Sequence, residues 1–506
     1  MGQLSANLFS RRDHQQRNAV DPTVARRPMS RLIVISNRVP SPRAGRSAAA
    51  GGLATALHAA LSSYNGIWFG WSGEVTDNSH ELRSKVHDGV TYATMDIGQA
   101  DFEEYYNGFA NRTLWPLFHY RIDLAQYERA FDQRYYSVNQ FFARKVFPLI
   151  RQGDLVWVHD YHLIPCAEQL RLLGVRNRIG FFLHIPWPAR EILVTLPKHR
   201  QLVRALFAYD VVGFQTRNDL QAFHDYVINE TGGEVAPDGT VHCFGRSIVA
   251  EAFPIGIDVK GFASLPRQPV ARRHARRIKA STLGRRVILG VDRLDYSKGL
   301  DRRFLAYERL LETHPEHRGK VLLLQIAATS RGDVDEYRQI RAELDALAGR
   351  INGRFAEYDQ APLRYINRSY SHMALAALYR AADVAFITPL RDGMNLVAKE
   401  YVACQSHHNP GVLILSRFAG AARELTAALI ANPYDQDDMV EVLQRALEMP
   451  LEERRERWKA LMKSLRKNDV IAWRDSFVKA LTRCPQTGNA EVVRPRLDDR
   501  VTGSSG

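Results

Sequence analysis

Short apolar runs alternate with longer amphipathic stretches along most of the chain. The runs are continuous rather than alternately apolar and polar, which is typical of parallel strands covered by helices on both faces. Segments such as 51–63 and 302–315 place apolar residues at helical spacing between the runs. The resulting β-α-β rhythm predicts an α/β fold. The predicted strands are residues 31–37, 155–160, 179–185, 211–216, 248–257, 287–293, 320–327, 383–389, 411–416 and 428–433.

A chain of 506 residues is too long for one hydrophobic core, so we expect two doubly wound, Rossmann-like domains. A polar and basic stretch at 258–285 separates the two sets of strands, and the last helical segment has no strand after it. The predicted organisation is a disordered extension at 1–28, an N-terminal domain at 29–258, a C-terminal domain at 259–467, a helix at 468–485 that crosses back to the first domain, and a disordered tail at 486–506.

The net charge of +14 permits an anionic partner but does not identify one, because the basic residues are scattered and no nucleic-acid-binding motif is present. The four cysteines are far apart and form no CxxC pair, which argues against a disulfide framework and a structural zinc site. No window approaches the roughly 18 consecutive apolar residues of a membrane span. We therefore expect a cytoplasmic protein that binds neither nucleic acid nor membrane.

Polar residues follow several predicted strands, at the edge where open α/β sheets bind ligands. Arg38 ends the first strand, and Gly51 and Gly52 then open a helix whose backbone amides can approach an anion. An ordinary loop with a tight turn explains the same residues. The glycines do not form a GxGxxG motif, so a dinucleotide cofactor is unsupported.

Two histidines flank Asp160 where the strand 155–160 ends. His159, Asp160 and His162 resemble part of a metal site, but no further ligand lies nearby at helical spacing. A role for Asp160 as a carboxylate that accepts hydrogen bonds from sugar hydroxyls explains the pattern equally well. His184 follows the next strand and is either a hydrogen-bonded core residue or a ligand contact.

Two cations follow the strand 287–293. Arg293 offers a planar fork and Lys298 a point charge, a combination that suits a diphosphate. The alternative is that they pair with Asp292 and Asp295.

Arg331 follows the next strand, beside a DxD pattern at 333–335 that resembles the metal-binding motif of one class of nucleotide-sugar enzymes. The same pattern recurs at 435–437. Both copies lie where a helix should begin, so capping of a helix N-terminus explains them better.

The segment 391–403, RDGMNLVAKEYVA, follows a buried strand and continues as a helix. Alone, residues 391–393 read as a polar turn and Glu400 as a surface charge. A strand end that feeds a helix N-terminus also puts backbone donors where a diphosphate can bind, and Leu396 and Glu400 then share one helix face.

Aromatic residues cluster at 68–74 and 104–116, two segments that we predict to be loops. Tyrosine and tryptophan there can pack on sugar faces or simply stabilise the loops. Ser72 lies in GWSG rather than GxSxG, so a hydrolase nucleophile elbow is excluded.

Taken together, these stretches resemble the trehalose-6-phosphate synthase family, retaining glycosyltransferases with a GT-B fold of two Rossmann-like domains facing across a catalytic cleft. The likeness runs from about Met29 to residue 485, in order and with similar spacing. The motifs that carry it are SNRVP, GGL, WFGWSGE, YYNGF, LWPLFHY, HDYHL, FFLHIPWP, RLDYSKGL, TSRGDV and TPLRDGMNLVAKEYVA.

The resemblance implies transfer of glucose from UDP-glucose to glucose 6-phosphate, giving α,α-trehalose 6-phosphate and UDP, without a metal or a cofactor. The implied partners are two small molecules, and self-association into a dimer or tetramer is left open. Retention without an obvious covalent nucleophile suggests front-face attack through an oxocarbenium-like state, in which the leaving diphosphate takes the acceptor proton.

The implied roles fall on residues that match the family's motifs. For the acceptor, Arg38, Tyr106, Trp115 and Arg331 would hold the phosphate and body of glucose 6-phosphate, and Asp160 would bind acceptor hydroxyls. For the donor, Arg293 and Lys298 would neutralise the diphosphate. His184 and Asp392 would hold the glucose, and Glu400 would bind the ribose. Further donor contacts, largely from the backbone, would come from Gly52, Gly393, Met394, Asn395, Leu396 and Val397, and Trp71 matches the family's loop without a defined contact.

Related activities stay open: another acceptor such as glycerol 3-phosphate, another nucleotide such as GDP-glucose, or a pseudo-glycosyltransferase that joins cyclitol units. A catalytically silent regulatory module is the alternative of a different class. Such a module should have lost a charged member of the site, yet all of them are present.

Replacing either cation after the strand 287–293 should impair transfer. We expect Arg293→Ala or Lys298→Ala to lower turnover at least about tenfold without unfolding the protein, because each removes positive charge from the departing diphosphate. Steady-state kinetics and circular dichroism check this expectation. Near-normal turnover in either variant would remove that residue from the role.

Overall fold

The computed structural model describes residues 30–40, 57–58, 61–62, 64–76, 81–329 and 335–484. The predicted extension at 1–28 and the predicted tail at 486–506 lie outside these residues.

A mixed sheet organises the first half of the described chain. Its strand order is β3-β4-β2-β1-β5-β6-β7-β10-β9-β8. The strands from β4 to β10 in this order run parallel, and the antiparallel pairs lie at the two edges. The strands are β1 (Leu32–Arg38), β2 (Ile67–Val75), β3 (Arg83–His87), β4 (Val90–Ile97), β5 (Leu155–His159), β6 (Ile179–Phe182), β7 (Val211–Phe214), β8 (Glu234–Val235), β9 (Thr240–Cys243) and β10 (Arg246–Ala252).

A second sheet, parallel throughout its described strands, organises the other half in the order β13-β12-β11-β14-β15-β16. Together with the first sheet it confirms the predicted α/β class. Its strands are β11 (Arg286–Arg293), β12 (Val321–Ala328), β13 (Leu363–Ile366), β14 (Val384–Ile387), β15 (Val412–Ser416) and β16 (Leu429–Ala431).

Helices connect the strands. A π-helical segment, Asp101–Leu114, precedes α1, and short 3-10 turns follow several strands. The described α-helices are α1 (Trp115–Phe118), α2 (Arg129–Val146), α3 (Cys166–Leu172), α4 (Arg190–Leu193), α5 (His199–Leu206), α6 (Arg217–Thr231), α7 (Val259–Ser264), α8 (Pro269–Ser281), α9 (Leu300–Thr313), α10 (Asp335–Phe355), α11 (His372–Ala381), α12 (Leu396–Cys404), α13 (Gln436–Glu448), α14 (Leu451–Lys467) and α15 (Val470–Arg483).

The central strands are apolar on both faces because helices cover both faces. Every residue of β5, β6, β7, β14 and β15 is buried.

The structure has a strand at each of the ten predicted runs, with bounds shifted by a few residues. The first sheet ends at Ala252 and the second begins at Arg286, so the division after residue 258 falls between them; its exact position stays a prediction.

Two expectations about local structure were wrong. Residues 68–74 belong to the buried strand β2, and residues 104–116 form the π-helical segment and the start of α1 rather than loops. The aromatic side chains face the core there, so packing overrides the turn signals of their glycines and asparagines. The capping interpretation of 435–437 is confirmed, since the Asp435 carboxylate accepts a hydrogen bond from the Asp438 amide at 3.1 Å.

The last helix, α15, packs on the first sheet although it follows the second sheet in sequence. The Phe477 ring stacks on Trp157 of β5, with centroids 4.4 Å apart and an interplanar angle of 11°. It also contacts Gly180 of β6 so closely that a Cβ there would lie 2.6 Å from the ring. The helix thereby completes the core beneath β5 and β6.

No helix among the described residues has the length and apolar character needed to cross a bilayer.

Truncating Phe477 should destabilise the whole fold. The side chain is fully buried, so Phe477→Ala should lower the free energy of unfolding by about 3–5 kcal/mol through lost apolar contact and a residual cavity. Denaturant unfolding measures this change. Ile471→Ala on the same helix is the matched control, since Ile471 is 39% exposed. Equal effects in the two variants would contradict the packing role of Phe477.

Candidate active site

One cavity of about 720 Å³ lies between the carboxyl ends of the two sheets. Residues after β1, β5 and β6 form one wall, and residues after β11, β12 and β14 form the other. The sheets therefore meet where parallel strands place their ligand-binding loops. The predicted site residues on its wall are Arg38, Tyr106, Trp115, Asp160, His184, Arg293, Lys298, Asp392, Met394, Asn395, Leu396, Val397 and Glu400.

Two predicted residues, Trp71 and Gly393, do not line the cavity, and Gly52 and Arg331 lie outside the described residues. Trp71 is a buried residue of β2, and the Arg38 guanidinium carbon lies 5.6 Å from the centre of its ring. The Trp71 indole nitrogen donates to the Glu74 carbonyl oxygen at 2.7 Å. Trp71 thus supports Arg38 from behind.

Aromatic rings cover part of the wall beside β1 and β5. Tyr106 stacks on His162 with centroids 5.9 Å apart and an angle of 12°. The Arg293 guanidinium carbon, from the opposite half of the chain, lies 5.1 Å from the centre of the Trp115 ring. This cation–π contact joins the two walls and leaves the Arg293 side chain 46% exposed beside the cavity.

Asp160 follows β5 with a φ of 76°, a region that non-glycine residues rarely adopt. Such a conformation costs on the order of 1–3 kcal/mol and is concentrated at functional sites. The Asp160 Oδ1 atom accepts a hydrogen bond from the His184 amide at 3.2 Å. The strained residue therefore links the ends of β5 and β6 and holds its carboxylate at the cavity.

The His184 ring is in hydrogen-bond contact with a neighbouring histidine. Its Nε2 atom lies 2.9 Å from Nδ1 of His159. Burial lowers the pKa of His184 to about 3 and that of His159 well below its usual value, so both rings are neutral. Among the described residues no group of three potential metal ligands is present.

Lys298 forms an ion pair with Asp392 across the C-terminal wall, with Nζ 2.6 Å from Oδ2. Burial alone raises the pKa of Asp392, but the Lys298 ammonium and the Asn395 amide outweigh burial and hold it below its usual value. The alternative pairing proposed from the sequence is not found for Lys298. Arg293 lies 3.9 Å from Asp295, a distant contact, and Asp292 instead binds the buried Arg303.

The segment after β14 makes the turn into α12. Asn395 has a φ of 76° and caps the helix, accepting a hydrogen bond from the Ala398 amide at 3.2 Å. Leu396 and Glu400 both line the cavity, as their spacing predicts, whereas Lys399 points away and pairs with Glu424. A Cβ on Gly393 would lie 2.2 Å from the His184 carbonyl oxygen, so glycine permits the two walls to touch.

Glu400 is a buried carboxyl group. Burial raises its pKa to about 7, although the Tyr379 hydroxyl, which donates to Oε2 at 3.0 Å, acts in the opposite direction. A carboxyl group with a pKa of about 7 can accept hydrogen bonds from two neighbouring hydroxyls once it ionises.

Sequence reasoning missed several residues of the cavity wall. His119 lies in the LWPLFHY motif, and its Nδ1 lies 2.7 Å from the Trp115 carbonyl oxygen. Burial lowers its pKa to about 3. Tyr370 and His372 precede and begin α11, beside the Glu400 end, and Tyr379 lies in the same helix. Only the position of His119 within a quoted motif could have indicated a role.

Neutralising Glu400 should remove a pH-dependent loss of stability. The folded carboxyl group keeps its proton to about pH 7 while the unfolded one releases it near pH 4.5. The folded state therefore binds more protons in this window, and its stability falls as pH rises. Relative to the parent chain, Glu400→Gln should gain about 3 kcal/mol between about pH 5 and about pH 8. A stability difference that does not vary with pH, in parallel urea titrations, would contradict the raised pKa.

Comparisons with known proteins agree with this architecture. The family model of glycosyltransferase family 20 matches residues 30–483. A trehalose-6-phosphate synthase of Cronobacter sakazakii is 48% identical over 472 residues, or 93% of this chain and 97% of the relative. A Burkholderia xenovorans alpha,alpha-trehalose-phosphate synthase (UDP-forming), solved in complex with glucose-6-phosphate, is 51% identical with a TM-score of 0.87, covering 90% of this chain and 100% of that one.

An E. coli structure bound with UDP-2-fluoro glucose is 46% identical with a TM-score of 0.86, covering 90% of this chain and 99% of that one. These similarities extend over both sheets and the cavity between them. The match over nearly the whole chain and the shared two-sheet fold lead to one conclusion: this chain is a member of glycosyltransferase family 20.

Proposed function

We propose that the chain transfers glucose from UDP-glucose to glucose 6-phosphate, with retention, to give α,α-trehalose 6-phosphate and UDP. The observation that carries the proposal is a single cavity whose two walls offer different chemistry. One wall presents Arg38, Asp160 and aromatic rings, and the other presents cations, a helix N-terminus and a buried carboxyl group. Family relatives solved with glucose-6-phosphate and with UDP-2-fluoro glucose support these two substrate classes.

We assign the acceptor to the wall formed by the first sheet. Arg38 would bind the phosphate together with Arg331 from the second half of the chain, and Tyr106 and Trp115 would enclose the sugar. The Asp160 carboxylate would accept hydrogen bonds from acceptor hydroxyls. A planar guanidinium held over an aromatic ring is well suited to a phosphate because its donors are oriented before binding.

We assign the donor to the wall formed by the second sheet. Glu400 would accept hydrogen bonds from the ribose, and Arg293 and Lys298 would bind the diphosphate. Asp392 would hold the glucose together with His184, which reaches the donor from the facing wall. The first turn of α12 directs backbone amides toward the phosphates. The donor contacts assigned to the segment after β14 are those of Gly393, Met394, Asn395, Leu396 and Val397. Gly52, from the first half of the chain, would contact the donor through its backbone.

The proposed reaction proceeds on one face of the donor sugar. The bond between C1 of glucose and the diphosphate oxygen breaks, and the anomeric oxygen of glucose 6-phosphate bonds to C1 from the same side. The acceptor proton passes to the diphosphate oxygen that leaves. The site acts by holding the acceptor oxygen and the leaving diphosphate on the same face of the donor sugar and by stabilising negative charge on the diphosphate with Arg293 and Lys298.

These two cations support the further proposal that transfer requires neither a metal nor a cofactor, since they supply positive charge at the diphosphate. We also propose that the protein acts in the cytoplasm. All four cysteines are buried free thiols, as suits a reducing compartment.

Incubating the purified chain with glucose 6-phosphate and UDP-, GDP- or ADP-glucose tests the function. We expect nucleotide release with UDP-glucose, a product whose two anomeric centres show the small proton coupling of α linkages, and unchanged turnover in EDTA. Reactions without the purified chain serve as the negative control, and Arg293→Ala is expected to release nucleotide at a rate at least about tenfold lower. Release from GDP-glucose alone would revise the nucleotide, and no release with any donor would support a silent module instead.

A further inference from the structure

His159 is the second member of a histidine pair behind the donor-sugar position, and the proposed reaction gives it no role so far. Its ring lies 5.2 Å from that of His184, centroid to centroid, with an interplanar angle of 22°. The residue ends β5 and its side chain is fully buried. Trp157, Phe182 and Trp473 pack around the same ring.

The other polar atoms of His184 are already engaged. Its amide donates to Asp160, and its carbonyl oxygen accepts from the Gln215 side chain at 3.4 Å. Its ring Nε2 faces His159 Nδ1 at 2.9 Å. Nδ1 is therefore the ring atom that His184 can offer to a ligand in the cavity.

Which nitrogen of His184 carries the proton depends on His159. Both rings are neutral, so each carries one proton, and one proton lies in the contact between them. The Nε2 atom of His159 is buried and has no hydrogen-bond partner among the described residues. A buried N–H without an acceptor is rarer than a buried lone pair without a donor. The proton of His159 therefore belongs on Nδ1, and that of His184 on its own Nδ1.

We propose that His159 is a positioning residue that donates its Nδ1–H to Nε2 of His184 and thereby fixes His184 as an Nδ1–H donor to a hydroxyl oxygen of the nucleotide sugar. The identity of that sugar rests on the proposed function. The pair also stays neutral, which matters because a cation beside C1 would oppose the positive charge that develops on an oxocarbenium-like sugar.

Two substitutions of His159 separate hydrogen bonding from packing. The amide nitrogen of His159→Asn falls near the Nδ1 position and can donate, whereas His159→Phe keeps the ring shape and cannot. We expect His159→Phe to lower kcat at least about tenfold with little change in the KM for glucose 6-phosphate, and His159→Asn to restore most of that loss. If packing alone mattered, His159→Phe would be the better variant, and that order would overturn the proposal.

The tautomer can be observed without turnover. In the parent chain labelled with ¹⁵N-histidine, we expect the His184 Nδ1 signal at a protonated shift and Nε2 at an unprotonated shift, with the assignment taken from the signals lost in His184→Gln. A protonated Nε2 on His184 would overturn the proposal even if both His159 variants failed to fold. Because no substrate is present, this result stands apart from any failure of the glucosyl-transfer assay.

Discussion

A single backbone contact determines how the two sheets share one site. Gly393, in the loop after β14, lies against the carbonyl of His184, in the loop after β6, with no room for a Cβ. Arg391 extends the contact by donating to the Trp187 carbonyl oxygen at 3.1 Å. A side chain at position 393 would push the carboxyl ends of the sheets apart. The separation of Asp392 from His184, and with it the width of the cavity, depends on this contact.

Several titratable groups on the cavity wall are neutral or are paired with an opposite charge. Lys298 and Asp392 form an ion pair, and burial raises the pKa of Glu400 to about 7. Burial also lowers the pKa of three histidines and keeps them uncharged: His119, His159 and His184. In the proposed reaction the diphosphate competes with Asp392 for Lys298, so the ammonium is already desolvated and positioned when the nucleotide arrives. Such preorganisation is where electrostatic stabilisation of a transition state is largest.

The sequence predicted the elements whose signal is local. Buried parallel strands are continuous apolar runs, and cavity-lining residues follow their carboxyl ends, so β5, β6, β11 and β14 and the candidate site residues after them were identifiable. The edge strand β3 was missed because all its residues are exposed and only Val86 is apolar. The strand β2 was missed because glycines interrupt it. Pairings distant in sequence, such as Lys298 with Asp392 or His159 with His184, have no local signature, and neither has the neutrality that burial imposes on Glu400.

The return of α15 to the first sheet has a consequence for synthesis of the chain. Trp157 and Gly180 lie in strands made early, yet the ring that covers them, Phe477, is among the last described residues to leave the ribosome. Until then the first half can form its strands but keeps an apolar face open to water. An apolar face left open in this way favours aggregation of the nascent N-terminal half until the last helix has been made.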